Sequence, residues 1–134
     1  MSTPGSNQGS ETGSAPGRSQ AVVVADRDGV IRYWNEAAAV LTGHDGNSVI
    51  GRSLDVIVPP EYRERHCSGF RAAMESGVSR FEGMSANLPV LHADGSVRRW
   101  PGRFSVLRDA RGRPAGAAAV LVEPAEDDPW LFDV

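Results

Sequence analysis

The strongest constraint on this chain is the order of its apolar segments: two strand-like runs, then short helical pieces leading into one longer helix, then three more strand-like runs. Ala21-Val22-Val23-Val24-Ala25 is a short apolar run, followed by Asp26-Arg27-Asp28-Gly29, a turn of the Asp-Gly hairpin type, and by Val30–Trp34 as the partner strand. Asn35 is placed to cap a helix over Glu36–Leu41, with Gly43 where that helix stops. Two short segments, His44–Val49 and Leu54–Val58, lie between glycines and the break at Pro59-Pro60. Glu61–Ser76 carries the helical pattern and ends at Gly77. Ser79–His92 then reads as a long strand, Ala93-Asp94-Gly95-Ser96 as a second hairpin turn, and Val97–Leu107 and Ala117–Val122 as the last two strands, joined by polar Arg108–Pro114. Strands segregated from helices predict an α+β domain, with one antiparallel sheet, helices on one face and a cavity between the longer helix and the sheet.

Composition narrows the classes. The 134 residues suit one domain. Fourteen Lys plus Arg against 17 Asp plus Glu give a net charge of −3, which argues against broad electrostatic binding of nucleic acid or an anionic membrane. No apolar run approaches the ~20 residues of a membrane span. Residues 1–20 hold no large aliphatic or aromatic side chain beyond Met1 and no basic-then-apolar signal pattern. They are expected to form a disordered tail, with the domain over 21–123 and an acidic tail over 124–134 that carries Trp130-Leu131-Phe132. The single cysteine, Cys67, excludes an intrachain disulfide framework and a multi-cysteine zinc site. A small cytoplasmic domain is the expectation.

On a helical wheel for Glu61–Ser76, Tyr62, Gly69, Phe70 and Ala73 fall within about 60° of His66, while Glu64, Ser68, Arg71 and Glu75 lie opposite. His66 therefore points inward. It is either a core histidine giving one ring nitrogen to a carbonyl or a ligand. Gly69 and Ala73 leave the stripe shallow beside it, so a flat molecule can approach, and Arg63 flanks the same face, where a guanidinium can meet a carboxylate. Cys67 projects about 100° away, too far round for a Cys–His nucleophile pair, and reads as a small packing residue. His44 and His92 read as surface residues.

In Ser79–His92, alternation puts Met84, Ala86, Leu88 and Val90 on one face, with Arg80 and Glu82 continuing it outward. Met84 faces the cavity, either as a gap-filling core methionine or as a ligand. Gly83 signals a bulge or a close backbone approach. A fold-back at Gly77 can bring Met84 opposite His66.

Ala21–Ala38, with its Asp-Arg-Asp-Gly turn and Tyr33-Trp34-Asn35-Glu36-Ala37-Ala38, together with Val49-Ile50-Gly51-Arg52-Ser53-Leu54 and the Asp94-Gly95-Ser96 hairpin, resembles a PAS domain over residues 21–123. Within it, Pro60-Glu61-Tyr62-Arg63-Glu64-Arg65-His66 is similar to the haem-binding helix of the haem-PAS oxygen sensors of the FixL and DOS type, and Arg80-Phe81-Glu82-Gly83-Met84-Ser85 resembles the DOS type more closely. The resemblance implies a PAS fold with a five-stranded antiparallel sheet, haem b as cofactor, His66 as proximal iron ligand and Met84 in the sixth position. The other ring nitrogen of such a histidine needs an acceptor, and a thioether ligand favours reduced iron. Leu88, Phe104 and Val106 are the expected distal wall. The arginine that stabilises bound oxygen in that family falls at Ala86, which offers no hydrogen bond, so Arg103 is the remaining candidate donor.

The resemblance implies a stand-alone sensor of redox state or of a diatomic gas (oxygen, carbon monoxide or nitric oxide), in which a gas displaces Met84 and the signal passes to a protein partner in trans, with homodimerisation as in other PAS domains. The alternatives are a haem enzyme with peroxide or nitrogen-oxide chemistry, for which no distal acid–base residue is evident, and a haem-free PAS interaction module.

Overall fold

The computed structural model describes residues 20–79, 82–83 and 85–122. Gln20, expected in the N-terminal tail, is instead the first residue of the sheet; the rest of the expected tails, and Arg80, Phe81 and Met84, lie outside the described residues. Five strands form one antiparallel sheet: β1 (Gln20–Asp26), β2 (Ile31–Trp34), β3 (Ala86–Leu91), β4 (Val97–Arg108) and β5 (Pro114–Val122), in the spatial order β2-β1-β5-β4-β3. The helices α1 (Glu36–Thr42), α2 (Gly46–Val49) and α3 (Arg63–Ser76), with 3-10 turns at Leu54–Ile57 and Pro60–Tyr62, fill the connection between β2 and β3. The α+β expectation holds, with the first and last strands side by side at the centre.

Residues paired across a ladder share a face. The register therefore aligns Ala21, Val23 and Ala25 of β1 with Leu121, Ala119 and Ala117 of β5, and these with Gly102, Phe104 and Val106 of β4. Ala86 and Leu88 of β3 join the same face opposite Gly102 and Trp100. This inner face meets the helices. Its main core joins Val23, Ile31, Trp34, Ala38, Leu41, Val49, Val90, Trp100 and Leu121, and a second cluster puts Ala73 and Met74 of α3 on Val106. Each fully buried aliphatic side chain here contributes about 1.5–3 kcal/mol.

Asn35 explains why the hairpin and α1 form one unit. Its Oδ1 accepts from Ala38 N at 2.9 Å, capping the helix, and from Val22 N at 3.0 Å, while its Nδ2 donates to Gln20 O at 3.0 Å. One side chain thus replaces ladder partners at the start of β1 and satisfies an orphan donor of α1.

Three sequence expectations are corrected. The long strand over Ser79–His92 shortens to Ala86–Leu91, because Gly83, at φ +77°, turns the chain just before it. Glu82 lies in that turn and does not extend the β3 face. Within Glu61–Ser76, the α-helix starts at Arg63, since Pro60–Tyr62 forms a tighter 3-10 turn.

Candidate functional site

His66 sits in the first half of α3, half-buried, its ring stacked on Phe70 one turn later with centroids 6.2 Å apart. Burial pushes the imidazole below its usual range, and the Asp55 carboxylate, from the 3-10 turn Leu54–Ile57, acts in the opposite sense. Neither ring nitrogen takes a hydrogen bond among the described residues. The ordinary arrangement of a core histidine, one nitrogen tied to a carbonyl, is thus absent at His66 within the described structure. Burial favours the neutral ring, the form in which imidazole binds a metal.

The surroundings follow from the two elements that hold Asp55 and His66. Arg52, Ser53, Asp55, Val56 and Arg63 line a cleft of about 380 Å³. Ser53 fixes its wall by accepting from Asp55 N at 3.1 Å, and Arg63 Nε donates to Val58 O at 3.0 Å. With that one bond among the described residues, Arg63 keeps guanidinium donors for an anionic edge. Tyr62 is half-buried, with the Arg65 guanidinium 5.6 Å from its ring centre. Gly69 opens on free space, since a side chain there would meet nothing within 4 Å, and Ala73 is buried against the sheet.

Across from α3, the register puts all four expected sheet residues, Ala86, Leu88, Phe104 and Val106, on the inner face. Val106 is closed over by Ala73 and Met74, whereas Leu88 packs toward the main core. Between these two clusters the inner face is floored by Ala86, Gly102, Phe104, Ala117 and Ala119, all of them half-buried. Small side chains predominate in this part of the inner face, with Phe104 as its bulky residue.

The chain on either side of Met84 is fastened to β4. Gly83 N donates to Phe104 O at 3.0 Å, and Val106 N donates to Glu82 Oε2 at 2.8 Å. Glu82 stands in for a strand carbonyl along the β4 edge that β3 does not reach. On the other side, Ser85 Oγ accepts from Arg103 Nη2 at 3.1 Å. Arg103 pairs with Val120 on the outer face of the sheet, so the structure removes it as a donor into the cavity.

Two further expectations fail. Cys67 is exposed and packs no core, because it projects from the solvent side of α3. His92 is buried and His44 half-buried, and neither is a surface residue. His92 stacks on Trp100, and His44 Nε2 lies 3.2 Å from Leu91 O. Sequence reasoning missed Asp55, Glu82 and His92. For Asp55 a signal existed in Ser53-Leu54-Asp55, which is a capping pattern, but no local pattern identifies the other two.

Among the described residues, an imidazole without a hydrogen bond on α3 and an Arg63 guanidinium with one carbonyl bond are donor types that suit a flat, carboxylate-bearing group such as haem; neither His66 nor the sheet residues line the Arg63 cleft. Among the described residues no three His, Cys, Asp or Glu side chains gather to hold a metal ion by themselves. No helix of the described residues is long and apolar enough to cross a membrane.

Comparison with known proteins agrees with the fold. The chain is 38% identical over 93 residues, 69% of its length, to an uncharacterized protein of Azorhizobium caulinodans, and 37% identical over 76 residues, 57% of its length, to the oxygen sensor protein DosP of Escherichia coli. It spans only 12% and 9% of those two proteins. The crystal structure of a PAS domain from Colwellia psychrerythraea superposes with a TM-score of 0.64 at 22% identity, covering 76% of this chain and 83% of that one. The family model described as the PAS fold matches residues 17–128, and the chain belongs to that family.

Proposed function

We propose that this PAS domain is a haem-b-binding sensor of redox state or of a diatomic gas, with His66 as the proximal ligand and Met84 as a displaceable distal ligand. The observation that carries this reading is His66: half-buried, pushed toward the neutral form by burial and, among the described residues, without a hydrogen bond at either ring nitrogen. The likeness to DosP, named as an oxygen sensor, supports the sensing class. Haem, when bound, would supply an iron that exchanges a ligand and one electron.

The chain's own residues take the remaining roles in this reading. Asp55 is the acceptor toward which the second ring nitrogen of His66 turns, which fixes the tautomer and strengthens the ligand. Arg63 meets a carboxylate at the cleft, while Phe70 and Ala73 pack the helix side. Ala86, Leu88, Phe104 and Val106 form the opposite, apolar wall. Ala86 provides no donor to a bound gas, so carbon monoxide and nitric oxide are favoured over stable oxygen binding. Displacement of Met84 would pull on the Gly83–Phe104 bond and so reach β4, from which a signal passes from a homodimer to a partner in trans.

Haem titration tests this. The wild-type chain should bind one haem, and His66→Ala should lose it while His44→Ala keeps it. Equal binding by wild type and His66→Ala would exclude His66 as ligand. A chain that binds no haem would be a PAS interaction module.

A further inference from the structure

Two histidines stand where the β3–β4 hairpin meets the end of α1, and they use their ring nitrogens in opposite ways. His44 Nε2 lies 3.2 Å from Leu91 O. A carbonyl only accepts, so this nitrogen carries a proton, and the bond survives when the ring is charged. His92 Nε2 instead takes the indole N–H of Trp100 at 3.0 Å. An indole only donates, so this nitrogen must be bare. His92 and Trp100 are both buried, with their rings stacked. A proton on His92 Nε2 therefore sets two N–H groups against each other away from water, which breaks the bond and leaves buried donors unpaired.

The helix side of this junction is rigid. Thr42 is buried, its Oγ1 donating to Ala38 O at 2.7 Å and accepting from His44 N at 3.1 Å. The indole of Trp34 donates to His44 O at 2.9 Å and meets the His44 ring edge-on. On the hairpin side, Ala93 N donates to Thr42 O at 3.0 Å. Gly43, at φ +80°, permits that approach, since a Cβ there would lie 3.3 Å from Ala93 Cβ. Arg98 of β4, Asp94 of the turn and His44 are the charged and titratable groups around His92. Burial disfavours a charge on His92 most, Arg98 disfavours it further, and Asp94, which is engaged by Ser96 N at 2.9 Å and Ser96 Oγ at 2.7 Å, favours it.

We propose that His92 is an acid-operated latch: a proton on Nε2 releases Trp100, and the turn Ala93–Ser96 comes away from Thr42 while His44 still holds Leu91. The opening is local and leaves the sheet in place. In the open turn His92 has its ordinary pKa of about 6.5, and in the closed one a lower value. The latch is therefore fully closed above the ordinary value and gives way as pH falls through the lower one. This inference is independent of haem binding.

Hydrogen exchange under native conditions tests it, read at the Trp100 indole and the Ala93 amide and corrected for the intrinsic pH dependence of exchange. Protection at both should fall about tenfold per pH unit below about 6.5, one proton being taken up on opening, while amides of β1 and β5 keep theirs. His92→Gln, whose amide oxygen accepts from the indole at any pH, should abolish this fall, and His44→Gln should retain it. In the wild type, the nitrogen chemical shifts of the His92 ring at neutral pH should place its proton on Nδ1, a reading that needs no variant. A proton found on Nε2 would overturn the proposal. So would loss of protection at Ala93 only in step with β1 and β5, or the same acid response in His92→Gln.

Discussion

The indole N–H of Trp100 donates to Nε2 of His92 at 3.0 Å, with the two rings stacked 5.7 Å apart. An indole can only donate, so His92 must carry its proton on Nδ1 and stay neutral. Burial pushes His92 below its usual range, aided by the positive charge of Arg98 and opposed by Asp94. Because the folded pKa is lowered, the stabilisation is fully present above the unfolded value of about 6.5 and is lost as pH falls from there through the folded value. Unfolding in denaturant at pH 7.5 and at progressively lower pH should show this loss. The wild-type slope should exceed that of His92→Gln, whose amide oxygen accepts from the indole at any pH. Equal slopes would remove His92 as the titrating group.

Replacing His92 by Leu keeps the bulk but leaves the Trp100 N–H buried without an acceptor. A loss of about 1–3 kcal/mol at neutral pH is expected from chemical denaturation. The same site is also a measure of what sequence reading reaches. His92 stands at a strand end before Ala93-Asp94-Gly95-Ser96, a polar turn, and local pattern puts it in water. Only the register, which brings Trp100 over the ring from eight residues away, makes it a core residue.

Asn35→Ala should cost about 2 kcal/mol, roughly one for the lost helix cap and the rest for the Val22 N–H and Gln20 carbonyl left without their partner. Asn35→Asp, which keeps the acceptor but not the donor, should fall between the two. Thermal unfolding of the three proteins checks the order.

The Glu82–Val106 bond makes a local prediction. Amide exchange at Val106 should be slow in the wild type, speed up in Glu82→Ala and stay slow in Glu82→Gln, whose side-chain oxygen still accepts. An unchanged rate in Glu82→Ala would show that this carboxylate does not hold the β4 edge.

The strands and helices were legible because period-2 and helical spacing, Asn35 and the glycine stops act locally. Alternation puts Ala86 and Leu88 on one face, and the register sets Phe104 and Val106 on that same face. The stretch 79–85 was not legible, because its alternation imitates a strand while Gly83 turns the chain. Arg103 was ambiguous for a related reason: Pro101-Gly102 disguises the phase of β4, which the pairings with β3 and β5 then fix. Cys67 shows the converse, since a small residue on a helix flank carries no facing signal of its own.

The central claim, that His66 and Met84 are a ligand pair, is tested most directly by the absorption spectrum of the haem-reconstituted, reduced protein beside His66→Ala and Met84→Ala. The account predicts a six-coordinate low-spin spectrum in the wild type, a five-coordinate one in Met84→Ala and loss of bound haem in His66→Ala. A wild-type spectrum that is unchanged by Met84→Ala, or stoichiometric haem retained in His66→Ala with its spectrum intact, would contradict it.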